Sequence, residues 1–187
     1  MCYNNGMDKI YDKTREHLLV AGIIEIEKHG LAEFSLRRVA AACGVSCAAP
    51  YKHFKNKDEF VLEIIRYIGN RWSMLEKQVI TIFENDKKRQ IEELSLAYIK
   101  FWIANPNFRS ILLLNPKQMD AAQKEARAAI DANLIALIEA YDENGKQKRL
   151  YEIRSLIYGA LLMLESGEMR NSDASLALIK TAIGERL

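Results

Sequence analysis

Apolar residues recur at the three- and four-residue spacing of amphipathic helices along most of the chain, and no segment shows the alternation of a strand. Three prolines interrupt the pattern, at positions 50, 106 and 116. Asn105-Pro106 and Asn115-Pro116 each place a capping residue before a proline, which suits a helix start. The pattern therefore predicts an all-α protein.

The first two helices have clear start and stop signals. The first is predicted from about Lys13 to His29, with Asp12 as its cap and Gly30 after its end. The second is short, because Ser35 can cap it and Gly44 stops it. Its apolar face consists of four residues at helical spacing: Leu36, Val39, Ala40 and Cys43.

A glycine-containing turn leads into a third predicted helix, which begins at Cys47 with Ser46 as its cap, so residues 35–54 indicate a helix-turn-helix. Pro50 and Phe54 are four residues apart and can both face the core. A proline this early removes at most one helical hydrogen bond, whereas a central one would cost about 3 kcal/mol. The outer face then carries small, aromatic and basic residues: Cys47, Ala48, Tyr51 and Lys52.

Asn56 can begin a fourth helix, with Glu59 three residues later as the other half of a capping box. Helical patterns continue from there to the end of the chain, whose 187 residues suffice to bury a sizeable core. We therefore predict an N-terminal three-helix domain over residues 1–56 and a larger helical domain over residues 57–187.

Positive charge is concentrated in the predicted helix-turn-helix. The chain has a net charge of +2, yet residues 35–57 hold five Lys or Arg and no Asp or Glu, while residues 58–187 hold 18 basic and 19 acidic side chains. Such a face attracts phosphates, although a merely solvated basic surface would give the same count. Lys52 can reach guanine O6 and N7, and Tyr51, His53 and Lys57 suit phosphate oxygens.

Residues 14–60 resemble the DNA-binding domain of the TetR (tetracycline repressor) family of transcriptional regulators. The resemblance is carried by TREHLLVAGIIEIEKHG and FSLRRVAAACGVSCAAPYKHFKNKDEF, with a Gly-Val-Ser turn, a Tyr-x-His-Phe ending and a later lysine. Pro50 departs from the broad family, which more often has Leu, Ile or Val there, but AAPYKHF resembles a subgroup. The resemblance implies these DNA-binding residues: Arg37, Ser46, Cys47, Ala48, Ala49, Tyr51, Lys52, His53 and Lys57.

The rest of the chain resembles the family's variable regulatory domain. LSLAYIKFWIANPNFRSILLL (94–114) resembles an aromatic-rich helix that ends at an Asn-Pro break, and RSLIYGALLML (154–164) resembles a late helix that often carries His-Gly where this chain has Tyr158-Gly159. Aromatic and Met residues at helical spacing are more often plain core than pocket lining. The candidate contacts of a small hydrophobic or aromatic effector are Tyr98, Trp102, Phe108 and Met119.

The last two predicted helices, from about Gln147 to Met169 and after Asp173, are candidates for association between subunits. Their apolar stripes consist of Ile153, Ile157, Ala160, Leu161 and Leu164, and of Leu176, Ile179 and Ile183. Two such helices from each of two subunits would form a four-helix interface, which the family resemblance also implies. The alternative is that both stripes are buried in the chain's own core.

Catalytic and metal sites are not indicated. His17, His29 and His53 are too dispersed for a metal site, and no Ser-His-Asp arrangement or glycine-rich phosphate loop occurs. We therefore expect neither enzymatic activity nor a cofactor. Because no run approaches about 18 apolar residues and no signal peptide is recognisable, we expect a cytoplasmic protein without membrane contact.

The three cysteines indicate no disulfide framework. Cys43 completes an apolar stripe, so we expect it in the core. Cys47 lies at a predicted helix N-terminus beside basic groups, which favours the thiolate, and a redox-sensing thiol is an alternative role for it.

The main hypothesis is a homodimeric repressor that binds a palindromic operator through two recognition helices about 34–36 Å apart and is released by its effector. The alternative is a DNA-binding structural or interaction protein of the same fold that needs no effector. A closed cavity in the helical body would favour the first, and a filled core with an exposed apolar patch the second. A small-molecule carrier without DNA binding would leave the basic helix-turn-helix unexplained.

Overall fold

The computed structural model describes residues 5–112, 114–142 and 145–187. Regular structure in these ranges is helical and includes no strand, which confirms the all-α prediction. The α-helices are α1 Asn5–His29, α2 Leu36–Ala42, α3 Lys57–Ile82, α4 Lys87–Ala104, α5 Arg109–Leu112, α6 Ala121–Tyr141, α7 Lys146–Ser166 and α8 Asp173–Gly184. Single 3-10 turns lie at Pro50–Lys52, Pro106–Phe108 and Pro116–Gln118.

Contacts between residues divide the chain into two compact units. Unit 1 contains the residues up to Gly69 and the segment Asn107–Arg127, and unit 2 contains Asn70–Pro106 and Ala128–Leu187. Two of the limits fall inside α3 and α6, and the third lies in the 3-10 turn Pro106–Phe108. The predicted functional division between residues 56 and 57 concerns DNA binding and regulation, and it stays a prediction.

Unit 1 is built around α1. This helix begins at Asn5, so Asp12 lies in its interior and is not the predicted cap; an aspartate caps only where the preceding residues leave helical geometry. The apolar side of α1 is buried as expected, with Leu18, Leu19, Ile23 and Ile26 at most 2% exposed. A methyl group on Gly22 would overlap the Phe60 ring, so glycine permits the close approach of α1 and α3.

The core of unit 2 combines an aromatic cluster with the predicted stripes. In the cluster, the Tyr98 ring packs against Trp72 and Trp102, with centroids 5.2 Å and 5.7 Å apart, and Phe101 packs against both tryptophans. Helix α4 packs against both α7 and α8. Seven of the predicted interface residues are buried in this single chain: Ile153, Ile157, Ala160, Leu161, Leu164, Ile179 and Ile183. Leu176 is half-buried.

The burial of both stripes corresponds to the alternative of intrachain packing. Helix periodicity identifies an apolar face, but it does not say whether the same chain or a second copy covers that face. A role of these eight residues between subunits stays a prediction, and other side chains of α7 and α8 are better exposed for it.

Candidate nucleic-acid interface

Helix α2 is placed by its cap and by its apolar face. The Ser35 hydroxyl accepts a hydrogen bond from the backbone N–H of Arg38 at 3.4 Å, which confirms the predicted cap. Leu36, Val39 and Ala40 are buried. Cys43 was expected in the core but is only half-buried, since it follows the last residue of α2; its thiol contacts the His17 carbonyl oxygen at 3.6 Å, and partial burial raises its pKa.

The two arginines of α2 are held differently. The Nε of Arg38 donates to the carboxylate of Glu25 on α1 at 2.6 Å, and its guanidinium also reaches the Glu33 carbonyl oxygen. Arg37 is exposed, and its side chain forms no hydrogen bond or ion pair with the described residues. Arg37 is therefore available to an external phosphate or base, whereas Arg38 stabilises the packing of α2 on α1.

Residues 46–53, called the 46–53 segment below, form a turn and one 3-10 turn rather than the predicted α-helix. In an α-helix starting at Cys47, the N–H of residue 50 would bond to the Ser46 carbonyl, but proline has no N–H. That carbonyl instead accepts from the Ala49 N–H at 2.9 Å. The Ala49 carbonyl accepts from the Lys52 N–H at 3.1 Å, which continues the three-residue pattern. Pro50 is thus the physical reason for the difference.

The 46–53 segment nevertheless presents the outer face that the sequence predicts. Pro50 and Phe54 are buried, and the Phe54 ring packs edge-on against Phe60 at 4.4 Å. Tyr51 is 60% exposed. The other exposed residues of the segment are Ser46, Cys47, Ala48 and Lys52, and Ala49 and His53 are half-buried.

Two further candidates have partners inside unit 1. The Nζ of Lys57 lies 3.4 Å from the Ala32 carbonyl oxygen and 5.8 Å from the centroid of the Phe34 ring. Burial, Arg15 and Lys52 together lower the pKa of His53, so its imidazole is neutral near pH 7 in the protein without DNA. All nine sequence-predicted DNA contacts thus lie in α2, the 46–53 segment and the first turn of α3, and their DNA contacts stay a prediction.

Helix α3 starts where the sequence indicates. The Asn56 side chain accepts from the Glu59 N–H at 2.8 Å, and the Glu59 carboxylate accepts from the Lys55 N–H. The reciprocal capping therefore reaches one residue further back than in a standard capping box. This double cap fixes the backbone that carries Lys57.

The predicted effector contacts are not brought together within either unit. Tyr98 and Trp102 belong to unit 2, where both are buried in the aromatic cluster, whereas Phe108 and Met119 belong to unit 1. Phe108 packs edge-on against Tyr67 at 6.3 Å, and Met119 is 6% exposed. Their contact with an effector stays a prediction.

A polar network beside Tyr98 was missed by sequence reasoning. The Tyr98 hydroxyl donates to Asp131 at 2.9 Å, and Arg154 donates to the Tyr158 hydroxyl at 3.1 Å and to Asp131 at 3.4 Å. These residues line a recess in unit 2 that accommodates little more than a water molecule. The i, i+4 spacing of Arg154 and Tyr158 was the available signal, but the pairing with Asp131 on α6 is not local.

Other chemistry is limited among the described residues. No group of three or more potential metal ligands occurs in them, and none of their helices is long and apolar enough to cross a membrane. Cys47 is an exposed free thiol, and its redox role stays a prediction. Cys2 lies outside the described residues.

Comparisons with known proteins show that the helix-turn-helix region is similar to one family. Residues 18–64 match the bacterial regulatory proteins of the tetR family. The probable acrEF/envCD operon repressor of Escherichia coli K12 is 24% identical over 100 residues, which are 54% of this chain and 46% of that repressor. The chain thus spans about half the length of the curated relatives it matches.

Solved structures share the fold over nearly the whole chain. A TetR family transcription regulator from Marinobacter aquaeolei VT8 has a TM-score of 0.74 at 16% identity, covering 96% of this chain and 97% of that one. The transcriptional regulator FadR from Bacillus subtilis, in complex with stearoyl-CoA, has a TM-score of 0.68 at 12% identity, covering 91% and 96%. At these identities the likeness shows the fold.

Proposed function

We propose that this chain is a DNA-binding transcriptional repressor of the TetR family, because residues 18–64 match the bacterial regulatory proteins of that family and the chain is similar to an Escherichia coli repressor. One observation carries the proposal: α2 and the 46–53 segment expose Arg37, Tyr51 and Lys52 from a stretch that contains no acidic residue. The buried pair Pro50 and Phe54 anchors the segment, so these side chains are held on an outer surface. Basic and aromatic donors on such a surface suit phosphates and guanine edges.

The test uses a duplex selected by the wild-type protein from a random library. We expect Tyr51→Ala and Lys52→Ala to weaken binding by about 1–3 kcal/mol, and Lys52→Ala also to relax the preference for guanine at one position of each half-site. Lys148→Ala, an equal loss of charge at an exposed position of α7, serves as the control and should bind as the wild type does. Fluorescence anisotropy at several salt concentrations measures each affinity. Unchanged binding by both interface variants would contradict the assignment.

We propose further that a small molecule bound to unit 2 releases the repressor. Tyr98 supports this, because it both belongs to the aromatic cluster and lines the recess. An effector acts by binding one conformation better than the other, and its differential affinity limits the change in DNA binding. The complex of Bacillus subtilis FadR with stearoyl-CoA indicates that this fold accommodates such a ligand.

Homodimerisation is the third part of the proposal, since a palindromic operator requires a two-fold symmetric reader. It is supported by the apolar side chains that α7 and α8 leave exposed: Tyr151 at 74%, Leu162 at 65%, Leu178 at 60% and Met163 at 38%. Large exposed apolar patches mark interaction surfaces, and we propose that these four side chains contribute to one. A second copy of this chain would cover them.

One observation favours the alternative of an effector-independent DNA-binding protein. The aromatic cluster is closely packed, and Trp102 is 2% exposed within it. That alternative predicts that small molecules neither bind unit 2 nor change the affinity for DNA. Calorimetry with a set of small molecules measures the binding, and anisotropy with the same set measures the affinity for DNA.

A further inference from the structure

Within unit 1, the start of α6 is tied to the start of α3 by one buried side chain, that of Gln123. This residue is 2% exposed, and its Nε2 donates to the Asp58 carbonyl oxygen in the first turn of α3 at 3.0 Å. A carbonyl oxygen has two lone pairs, so it can accept this bond in addition to the helical one. The two residues are 65 positions apart, and the bond therefore joins two separate elements.

The same side chain also caps α6. Its Oε1 accepts the backbone N–H of Asp120 at 3.2 Å, and the Asp120 carboxylate accepts the backbone N–H of Gln123 at 2.8 Å. These two bonds complete a capping box. Capping requires neither the burial of Gln123 nor its bond to α3, so these two features call for a second role.

The first turn of α3 carries one of the predicted DNA contacts. Lys57 immediately precedes Asp58, so the bond from Gln123 holds the backbone one residue away from Lys57. Asn56 and Glu59 cap the same turn with local hydrogen bonds. Local caps keep a helix start folded, but they do not determine where it lies against another element. That position is held by the bond from Gln123.

We propose that Gln123 is a positioning residue for DNA binding: it holds the first turn of α3 against the start of α6 and thereby keeps Lys57 where it contacts a DNA phosphate. Gln123 is buried and does not touch DNA itself. This inference rests on the proposed DNA-binding function. It differs from a purely stabilising role, which would affect DNA binding no more than an equivalent hydrogen bond elsewhere in the chain.

Unit 2 contains such an equivalent bond. Gln90 is 5% exposed, and its Nε2 donates to the Ile80 carbonyl oxygen at 2.9 Å. Gln90 and Gln123 thus offer the same donor to the same kind of acceptor at similar burial. Gln90→Glu is therefore the matched control for Gln123→Glu, because each variant replaces one buried N–H donor by an acceptor.

Fluorescence anisotropy with the selected duplex measures the effect on binding, at a temperature at which circular dichroism shows every variant folded. The loss of one hydrogen bond changes an equilibrium by roughly threefold to tenfold, so we expect Gln123→Glu to weaken DNA binding by that factor. Gln123→Met, which removes both side-chain bonds, should act in the same direction, and Gln90→Glu should bind as the wild type does. Wild-type affinity in both Gln123 variants, or equal weakening by Gln90→Glu, would overturn the proposal.

A double-mutant cycle tests whether the effect passes through Lys57. Lys57→Ala should weaken binding less in the Gln123→Glu background than in the wild type, because a displaced lysine contributes less. The slope of affinity against salt concentration should fall by about one phosphate contact in either single variant. Fully additive effects of the two substitutions would contradict positioning of Lys57 by Gln123.

Hydrogen exchange of the full-length protein without DNA separates this inference from the proposed function. Gln123→Glu should speed exchange of the capped Lys55 and Glu59 amides, and Gln90→Glu should leave it unchanged. Unchanged exchange in Gln123→Glu would overturn the positioning role even in a protein that binds DNA. A wild type that selects no duplex would contradict the repressor proposal, whereas faster exchange would still support the positioning of α3 by Gln123.

Discussion

At the scale of single residues, Arg37 and Arg38 show how neighbours acquire different roles. Both point away from the apolar face of α2, as helical spacing predicts. Only Arg38 meets a carboxylate, that of Glu25, which is 7% exposed on α1. A contact across thirteen positions in the sequence cannot be derived from helical spacing, so the sequence alone leaves the two arginines equivalent.

Arg38→Ala should lower the free energy of unfolding by about 1–3 kcal/mol, because it leaves the buried Glu25 carboxylate without its main partner. Arg37→Ala removes an exposed side chain and should stay within about 0.5 kcal/mol of the wild type. Arg37→Ala should instead weaken binding to the selected duplex. Urea unfolding followed by circular dichroism measures the stability, and fluorescence anisotropy measures the DNA binding. Equal destabilisation by both variants would disprove the distinction.

At the scale of elements, α2 and the 46–53 segment differ in how far local signals determine them. The Ser35 cap, the apolar face and Gly44 all agree, so α2 was predictable almost to the residue. The 46–53 segment was placed correctly but given the wrong helix type. Pro50 was treated as tolerable near a helix start, yet its missing N–H removes the bond that would begin the α-helix.

The turn between α2 and the 46–53 segment requires a left-handed backbone conformation at Gly44. Gly44 has φ of +67°, and no atom lies within 4 Å of where its Cβ would be, so substitution is penalised by conformation and not by a clash. Gly44→Ala should therefore cost about 1–2 kcal/mol. Gly44→Asn is the matched control, since asparagine tolerates left-handed geometry better, and it should cost less. Thermal unfolding measures both, and an alanine variant as stable as the asparagine variant would contradict this account.

At the scale of the whole molecule, the apolar residues of the last two helices fall into two groups, one buried and one exposed. Seven of the eight residues in the stripes recognised from the sequence are buried in the single chain, while Leu162, Met163 and Leu178 are exposed outside those stripes. A single apolar residue outside a stripe is unremarkable in a sequence, and only the structure shows that these three are exposed on α7 and α8. The polar network around Arg154 was hidden for a similar reason, because it joins separate helices.

Leu162→Glu should convert a dimer into a monomer, because it places a charge among the apolar side chains that we assign to the interface. Met74→Glu is the control: Met74 is 69% exposed on α3, so it introduces the same charge at a similarly exposed apolar position. Sedimentation velocity at several concentrations reports the association state. A monomeric wild type, or a dimer that survives Leu162→Glu, would refute the proposed interface.

Because the 46–53 segment is short, it limits the number of base pairs that one subunit could recognise. The segment exposes five residues, Ser46, Cys47, Ala48, Tyr51 and Lys52, and recognition elements of this kind read about three or four base pairs. A specified triplet recurs by chance roughly every 64 base pairs, which is far too often to mark one promoter. Specificity would then depend on two short half-sites and on the spacing between them. Promoters that contain the same half-site sequence at a different spacing would not be bound.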